Sequence, residues 1–285
     1  MTQNLHKSEL QHFRNIYIFG DSYSDTGNAF NRTGGILAAP PNYQGRFSNN
    51  LIWVDYLAES LNLSVKTADN SVSNQGINFA VGGATTGEEN LFPAVIPNLP
   101  ELSGLQQQIQ SYISSLQQSQ ADALYIIWAG AADYAPFVNG VPQYSDTTTT
   151  IANISTAINT LIESGARNIL LANVIDIGKT PLAVEVNQIT SSDLVSQVVK
   201  KHNESLTEIA YIFAEKVNLM LFDVKSIVDE AIAHPHKFGF TNTTQASSLV
   251  ESSNPDEYVF WDLVHLTSKA NRLIANAALA RLAKG

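Results

Sequence analysis

Short apolar runs recur along the chain at residues 16–19, 77–81, 124–128, 169–174 and 219–224. Each is rich in β-branched or aromatic residues and is bounded by Gly, Asn or Asp. Nearly continuous hydrophobicity of this length is the pattern of a parallel strand buried on both faces. Between the runs the apolar period lengthens to that of a helix. Residues 51–61 follow Ser48-Asn49, which suit an N-cap. Residues 105–116 carry Leu105, Ile109, Tyr112, Ile113 and Leu116 on one stripe, and 151–162, 194–214, 226–233 and 268–282 continue the series. Strands alternating with helices predict βαβ units, hence an α/β fold with a parallel sheet of five strands covered by helices. The rhythm is unbroken, so the expectation is one domain over 15–285, preceded by a polar segment at 1–14.

Composition narrows the class. Of 285 residues, 44% are hydrophobic and 15% charged, enough for a large core and far from a disordered composition. Acidic side chains outnumber basic ones 26 to 16, and a net charge of -10 argues against a nucleic-acid partner. The absence of cysteine excludes disulfides, Cys-ligated zinc, iron–sulfur clusters and a cysteine nucleophile. No apolar run is long enough for a membrane-spanning helix. The first residues are polar and lack the apolar core of a signal peptide. The expected location is cytoplasmic for the chain as written, or secreted if a leader has been removed. Oligomeric state is not legible.

In open α/β sheets the chemistry collects just after the strands. The first run leads into Gly20-Asp21-Ser22-Tyr23-Ser24-Asp25-Thr26-Gly27-Asn28. A serine in a sharp strand-to-helix turn can present its hydroxyl to a cleft and its own N–H to an oxyanion; Ser22 or Ser24 would equally serve as a helix cap. The second ends in Gly82-Gly83, a pair that admits close backbone approach or makes an ordinary turn. Near the end, Asp262 and His265 stand three apart. The Asp can orient the imidazole while the other ring nitrogen reaches a serine, although a capping Asp beside a surface His reads the same way. No phosphate-binding Gly-x-x-x-x-Gly-Lys-Ser/Thr and no Gly-x-Ser-x-Gly elbow occurs. His234-Pro235-His236 is too weak a signal for a metal.

Taken in order, these segments resemble the blocks of the GDSL, or SGNH, lipases and esterases. The stretch from Gly20 to Asn28 resembles the first block. Gly45-Arg46-Phe47-Ser48-Asn49 with Trp53 and Asp55 resembles a plant-type landmark, the stretch from Asn78 to Thr85 the glycine block, and Phe260-Trp261-Asp262-x-x-His265 the last block. His202-Asn203 and Phe238-Gly239-Phe240 are further landmarks. The resemblance implies a three-layer α/β/α sandwich of flavodoxin-like type and ester hydrolysis through an acyl-enzyme, with no cofactor and no metal. It implies Ser22 as nucleophile, His265 as general base and acid, Asp262 as orienting carboxylate, and Ser22 and Gly83 as oxyanion donors. One departure is serious: the third block, Gly-x-Asn-Asp, reads Gly130-Ala131-Ala132-Asp133, so the position of the oxyanion-hole amide is Ala132. Leu266 is a lesser one, standing where the family usually has Pro.

Residues 91–99 (LFPAVIPNL) suggest an acyl pocket or lid, and 138–143 an opposite wall. Asp21, Phe92 and Ile96 are the expected substrate-binding residues, and the expected partner is a small-molecule or lipid ester. An acyltransferase with the same triad and a non-catalytic binding homologue are the alternatives.

Overall fold

A computed structural model describes residues 13–70, 75–115, 120–138, 146–185 and 192–284. The polar start up to residue 12, Leu116 and most of 138–143 lie outside them. Strands β1 (Asn15–Gly20), β2 (Lys66–Thr67), β3 (Gly76–Asn78), β4 (Ala123–Trp128), β5 (Asn168–Ala172) and β6 (Asn218–Phe222) form one sheet in the order β2-β3-β1-β4-β5-β6. Every pairing is parallel. The sheet thus has six strands rather than the five expected. The extra one, β2, is a two-residue edge strand, too short and too polar to register as an apolar run. Beyond β3 the ladder continues irregularly, with the Phe79 N–H on the Ile18 carbonyl and the Val81 N–H on that of Gly20.

Alternation along the strands divides the core. Ile16, Ile18, Leu124, Ile126, Leu170 and Met220 face the helices α2 (Trp53–Ser60), α9 (Val224–Ala233) and α10 (Ser268–Leu282). Tyr17, Phe19, Tyr125, Ile127, Ile169 and Leu171 face α4 (Leu105–Ser115), α6 (Thr148–Ser164) and α8 (Ser192–Ala214). Both sheet faces are therefore apolar and covered, which explains why the strands read as continuous runs. Four short helices sit in the connections: α1 (Asn28–Arg32), α3 (Leu91–Val95), α5 (Ala131–Val138) and α7 (Pro181–Glu185). A separate ribbon pairs β7 (Asn242–Ala246) with β8 (Tyr258–Phe260).

Helix α2 corrects one expectation. It starts at Trp53 with Ile52 as its cap, and the Asp55 carboxylate accepts the Ile52 N–H at 2.9 Å. Ser48 and Asn49 are used elsewhere: the Ser48 hydroxyl donates to the Leu266 carbonyl at 2.8 Å and the Asn49 side chain accepts the Ser268 N–H at 2.8 Å. They tie this loop to the segment that carries His265.

The strand order places the site. β1 lies between β3 and β4, so the chain leaves it first to one side and later to the other. Such a switch point opens a crevice at the carboxyl ends of the strands. The segments holding Ser22, Gly83 and Ala132 follow β1, β3 and β4, the three strands that meet there.

Candidate active site

Ser22 is positioned by the end of β1. Gly20 has φ +145°, and a Cβ there would stand 2.0 Å from the Trp128 carbonyl oxygen, so only glycine lets β1 end against β4. Both of its backbone polar groups are held by one side chain: Gln108 on α4 accepts the Gly20 N–H at 2.8 Å and donates to its carbonyl at 2.9 Å. The chain then turns tightly, with the N–H groups of Ser24 and Asp25 returning to the Asp21 carbonyl. Ser24 is fully buried and its hydroxyl accepts the Trp53 indole N–H at 3.3 Å. Of the two candidate serines only Ser22 faces the crevice.

His265 and Asp262 arrive on the tight turn after β8. The Trp261 N–H donates to the His265 carbonyl at 2.8 Å, closing the turn. Inside it, Asp262 Oδ1 accepts the N–H groups of Val264 at 2.9 Å and His265 at 2.7 Å. Asp262 Oδ2 lies 2.7 Å from His265 Nδ1, and His265 Nε2 lies 2.8 Å from Ser22 Oγ. Burial pushes the Asp262 carboxyl up, but the His265 charge, its ring hydrogen bond and the two N–H groups outweigh that and hold it below its ordinary value. An ionised Asp262 calls for a proton on Nδ1 and leaves Nε2 free to accept one from Ser22. The rings of Phe47 and Tyr23 pack against the imidazole at 4.9 and 5.5 Å between centroids. The Tyr23 hydroxyl donates to the Val264 carbonyl at 2.9 Å, pinning the turn.

Two backbone donors border the same cavity. Among the described residues, the N–H groups of Ser22 and Gly83 have no protein acceptor. Gly83 has φ +77°, and a Cβ would stand 2.5 Å from the Phe92 ring. Asp25 clamps the neighbouring turn, since its carboxylate accepts N–H groups from Gly27, Asn28, Ala29 and Gly82 at 2.6–3.0 Å. Asn90 clamps it from the other side: it donates to the Gly82 carbonyl at 2.9 Å and accepts the Phe92 N–H at 3.0 Å, which also caps α3. Asn78 donates to the Ser24 carbonyl at 2.6 Å, binding the serine turn to the glycine turn.

A cavity of about 540 Å³ opens above Ser22 and His265. Leu91, Phe92 and Val95 of α3 form one wall, and Ala131, Ala132 and Ala135 of α5 another. Ile177, Leu182 and Val264 complete its apolar lining. Ala132 contributes a methyl group, and among the described residues no lining side chain offers an amide in its place; the polar side chains there are Ser22, His265 and Tyr23, whose hydroxyl is already engaged.

Two expected substrate contacts are corrected. Asp21 is 1% exposed and does not line the cavity; its Oδ1 accepts the Tyr23 N–H at 3.0 Å and its Oδ2 accepts no hydrogen bond. Ile96 ends α3 and packs instead beside Leu37, Ala38 and Phe47. Phe92 does line the cavity. Asp133 points away from it, accepting the N–H and the hydroxyl of Thr86 at 2.9 and 2.6 Å, and burial pushes its carboxyl up to about 6. Sequence reasoning missed Gln108, Asn90 and the clamping role of Asp25. Gln108 alone left a signal: it is a polar residue on the buried stripe of Leu105, Ile109 and Tyr112.

Residues 16–278 match the GDSL-like lipase/acylhydrolase family. The chain belongs to that family. Thermolabile hemolysin of Vibrio parahaemolyticus is 26% identical over 93% of this chain and 62% of its own length. Phosphatidylcholine-sterol acyltransferase of Aeromonas hydrophila is 29% identical over 82% of this chain and 65% of its own. The chain thus spans less than two thirds of these two relatives. Among solved structures, a lipolytic G-D-S-L protein from Veillonella parvula superposes with a TM-score of 0.53 at 16% identity, covering 93% of this chain and 96% of that one. The likeness extends to the layered fold and its parallel sheet.

Proposed function

We propose that this family member is a serine ester hydrolase whose chemistry is carried by Ser22, His265 and Asp262 within one domain over residues 15–285. The observation that carries the reading is the unbroken path from Asp262 Oδ2 to His265 at 2.7 Å and from His265 to Ser22 Oγ at 2.8 Å, at the floor of an apolar cavity. His265 takes the Ser22 proton as Oγ attacks the ester carbonyl. Asp262 holds the ring and balances the imidazolium that forms. The carbonyl oxygen, now charged, is met by the N–H groups of Ser22 and Gly83. His265 then protonates the departing alkoxide, and the alcohol leaves Ser22 acylated. Water enters, His265 takes its proton, and the acid is released with the serine restored.

The test is a short aryl ester together with a fluorophosphonate probe. Labelling of Ser22 and loss of both labelling and turnover in Ser22→Ala are expected, with circular dichroism unchanged. Full turnover by Ser22→Ala would overturn the assignment. An added alcohol measures the rival outcome, acyl transfer, by the fraction of new ester among the products.

A further inference from the structure

The cavity has a direction that the reaction itself defines. His265 Nε2 must reach both Ser22 Oγ and the departing oxygen, so the alcohol half of a bound ester lies on the His265 side. The carbonyl oxygen lies at the Ser22 and Gly83 N–H groups. The acyl substituent therefore points the remaining way, between α3 and α5. Phe92 stands over Gly83 at the near end of that path, within contact of the oxyanion turn. Ala132 and Ala135 of α5 both line the cavity, about 4.5 Å apart along the helix axis. Val95 of α3 lines the same cavity and is 62% exposed. The whole path is apolar, and the alanine that replaces an amide is part of its wall.

We propose that this path seats an acyl chain well beyond acetyl, and that Ala135 of α5 and Val95 of α3, which both line it, set the length accepted. The proposal rests on Ser22 being the acylated residue. Alanine at 135 leaves open the space that a larger side chain would fill, so acyl carbons can pass along α5. The substrate class is an ester of a medium-length or long aliphatic acid. Ala132 belongs to the same device: its methyl keeps the near end apolar, at the cost of one oxyanion donor.

The experiment measures kcat/KM for aryl acetate, butyrate, hexanoate and octanoate with the full chain, with Ala135→Leu, and with Val95→Trp, whose exposed site tolerates bulk without disturbing the core. In the parent enzyme each added methylene should raise kcat/KM by about fourfold until the path is full. Both variants should move the optimum to a shorter acid and lower the octanoate-to-acetate ratio by about tenfold or more. A flat chain-length profile in the parent, or an equal loss on all four esters in both variants, would overturn the length assignment. Fluorophosphonate labelling separates the two readings. A labelled Ser22 with a flat profile refutes this inference alone, whereas an unlabelled Ser22 refutes both.

Discussion

Ala132 places a methyl group where the resembled family carries an oxyanion-donating amide. Among the described residues lining the cavity over Ser22 no side chain offers an amide in its place, so in the proposed mechanism the developing charge meets only the N–H groups of Ser22 and Gly83. A donor aimed at the oxyanion acts on the transition state more than on bound substrate. Ala132→Asn should therefore raise turnover of a short acyl ester by about 10- to 1000-fold with little change in KM. The cavity of about 540 Å³ has room for the amide. Steady-state kinetics decide it, and an unchanged or reduced kcat would mean that the hole is already complete. The contacts that bring Ser22, His265 and Asp262 together were legible at this scale through the blocks that resemble the family, since a strand-end serine and an Asp three before a His fit helix caps equally well. Asp21 and Ile96 were misplaced because sequence does not say which side of a short turn or helix meets the cavity.

At the scale of elements, α3 depends on Asn90. The helix has five residues and none of them is buried, so packing alone gives it little support. Asn90 satisfies the Phe92 N–H and ties the helix to the Gly82 carbonyl, and the Leu91 N–H adds a bond to the Gly83 carbonyl at 2.8 Å. Asn90→Ala removes a cap and frees the wall of the acyl path, at a cost of about 0.5–2 kcal/mol. Urea unfolding should show that loss. Kinetics should show a larger fall in kcat/KM for octanoate than for acetate, and equal falls would mean that α3 does not wall the path. The long elements were readable because both faces of the central strands are buried and every covering helix keeps an apolar stripe. Short ones were not. β2 is only Lys66 and Thr67, and α3 contains Pro93 within five residues, a composition that reads as a connector. The clamps of Gln108 and Asn90 join residues 88 and 8 positions apart, which no local pattern records.

At the scale of the whole molecule, the fold carries a carboxyl that it would be more stable without. Burial, helped by the nearby Asp133 charge, pushes Asp21 up to about 7, against the N–H of Tyr23 and the charge of His265, which favour its ionised form. In the unfolded chain an aspartate titrates near 3.9. Below that pH both states hold the proton, and Asp21 has no pH-dependent effect on stability. Between about 4 and 7 the folded state binds the proton more tightly than the unfolded state, so this group's contribution declines as pH rises. Above 7 both states are ionised, and the full cost of a charge at a site 1% exposed, with one oxygen unpartnered, is in place. Asp21→Asn keeps an oxygen for the Tyr23 N–H and removes the charge. Its stability relative to the parent should rise steadily from pH 4 to pH 7 and then level off, reaching a few kcal/mol, or several degrees in Tm. Asp133, pushed up by burial to about 6, adds a slope of the same sign in both proteins, smaller in Asp21→Asn because the neighbouring Asp21 charge is gone. His202 has the opposite sign: burial lowers it to about 4, so its neutral form loses stability as pH falls from about 6.5 towards 4, again in both proteins. Thermal scans of the pair at half-unit pH intervals read the Asp21 contribution together with its repulsion of Asp133. A gap that does not widen between pH 4 and 7 would mean that the folded chain stabilises the Asp21 charge as well as water does.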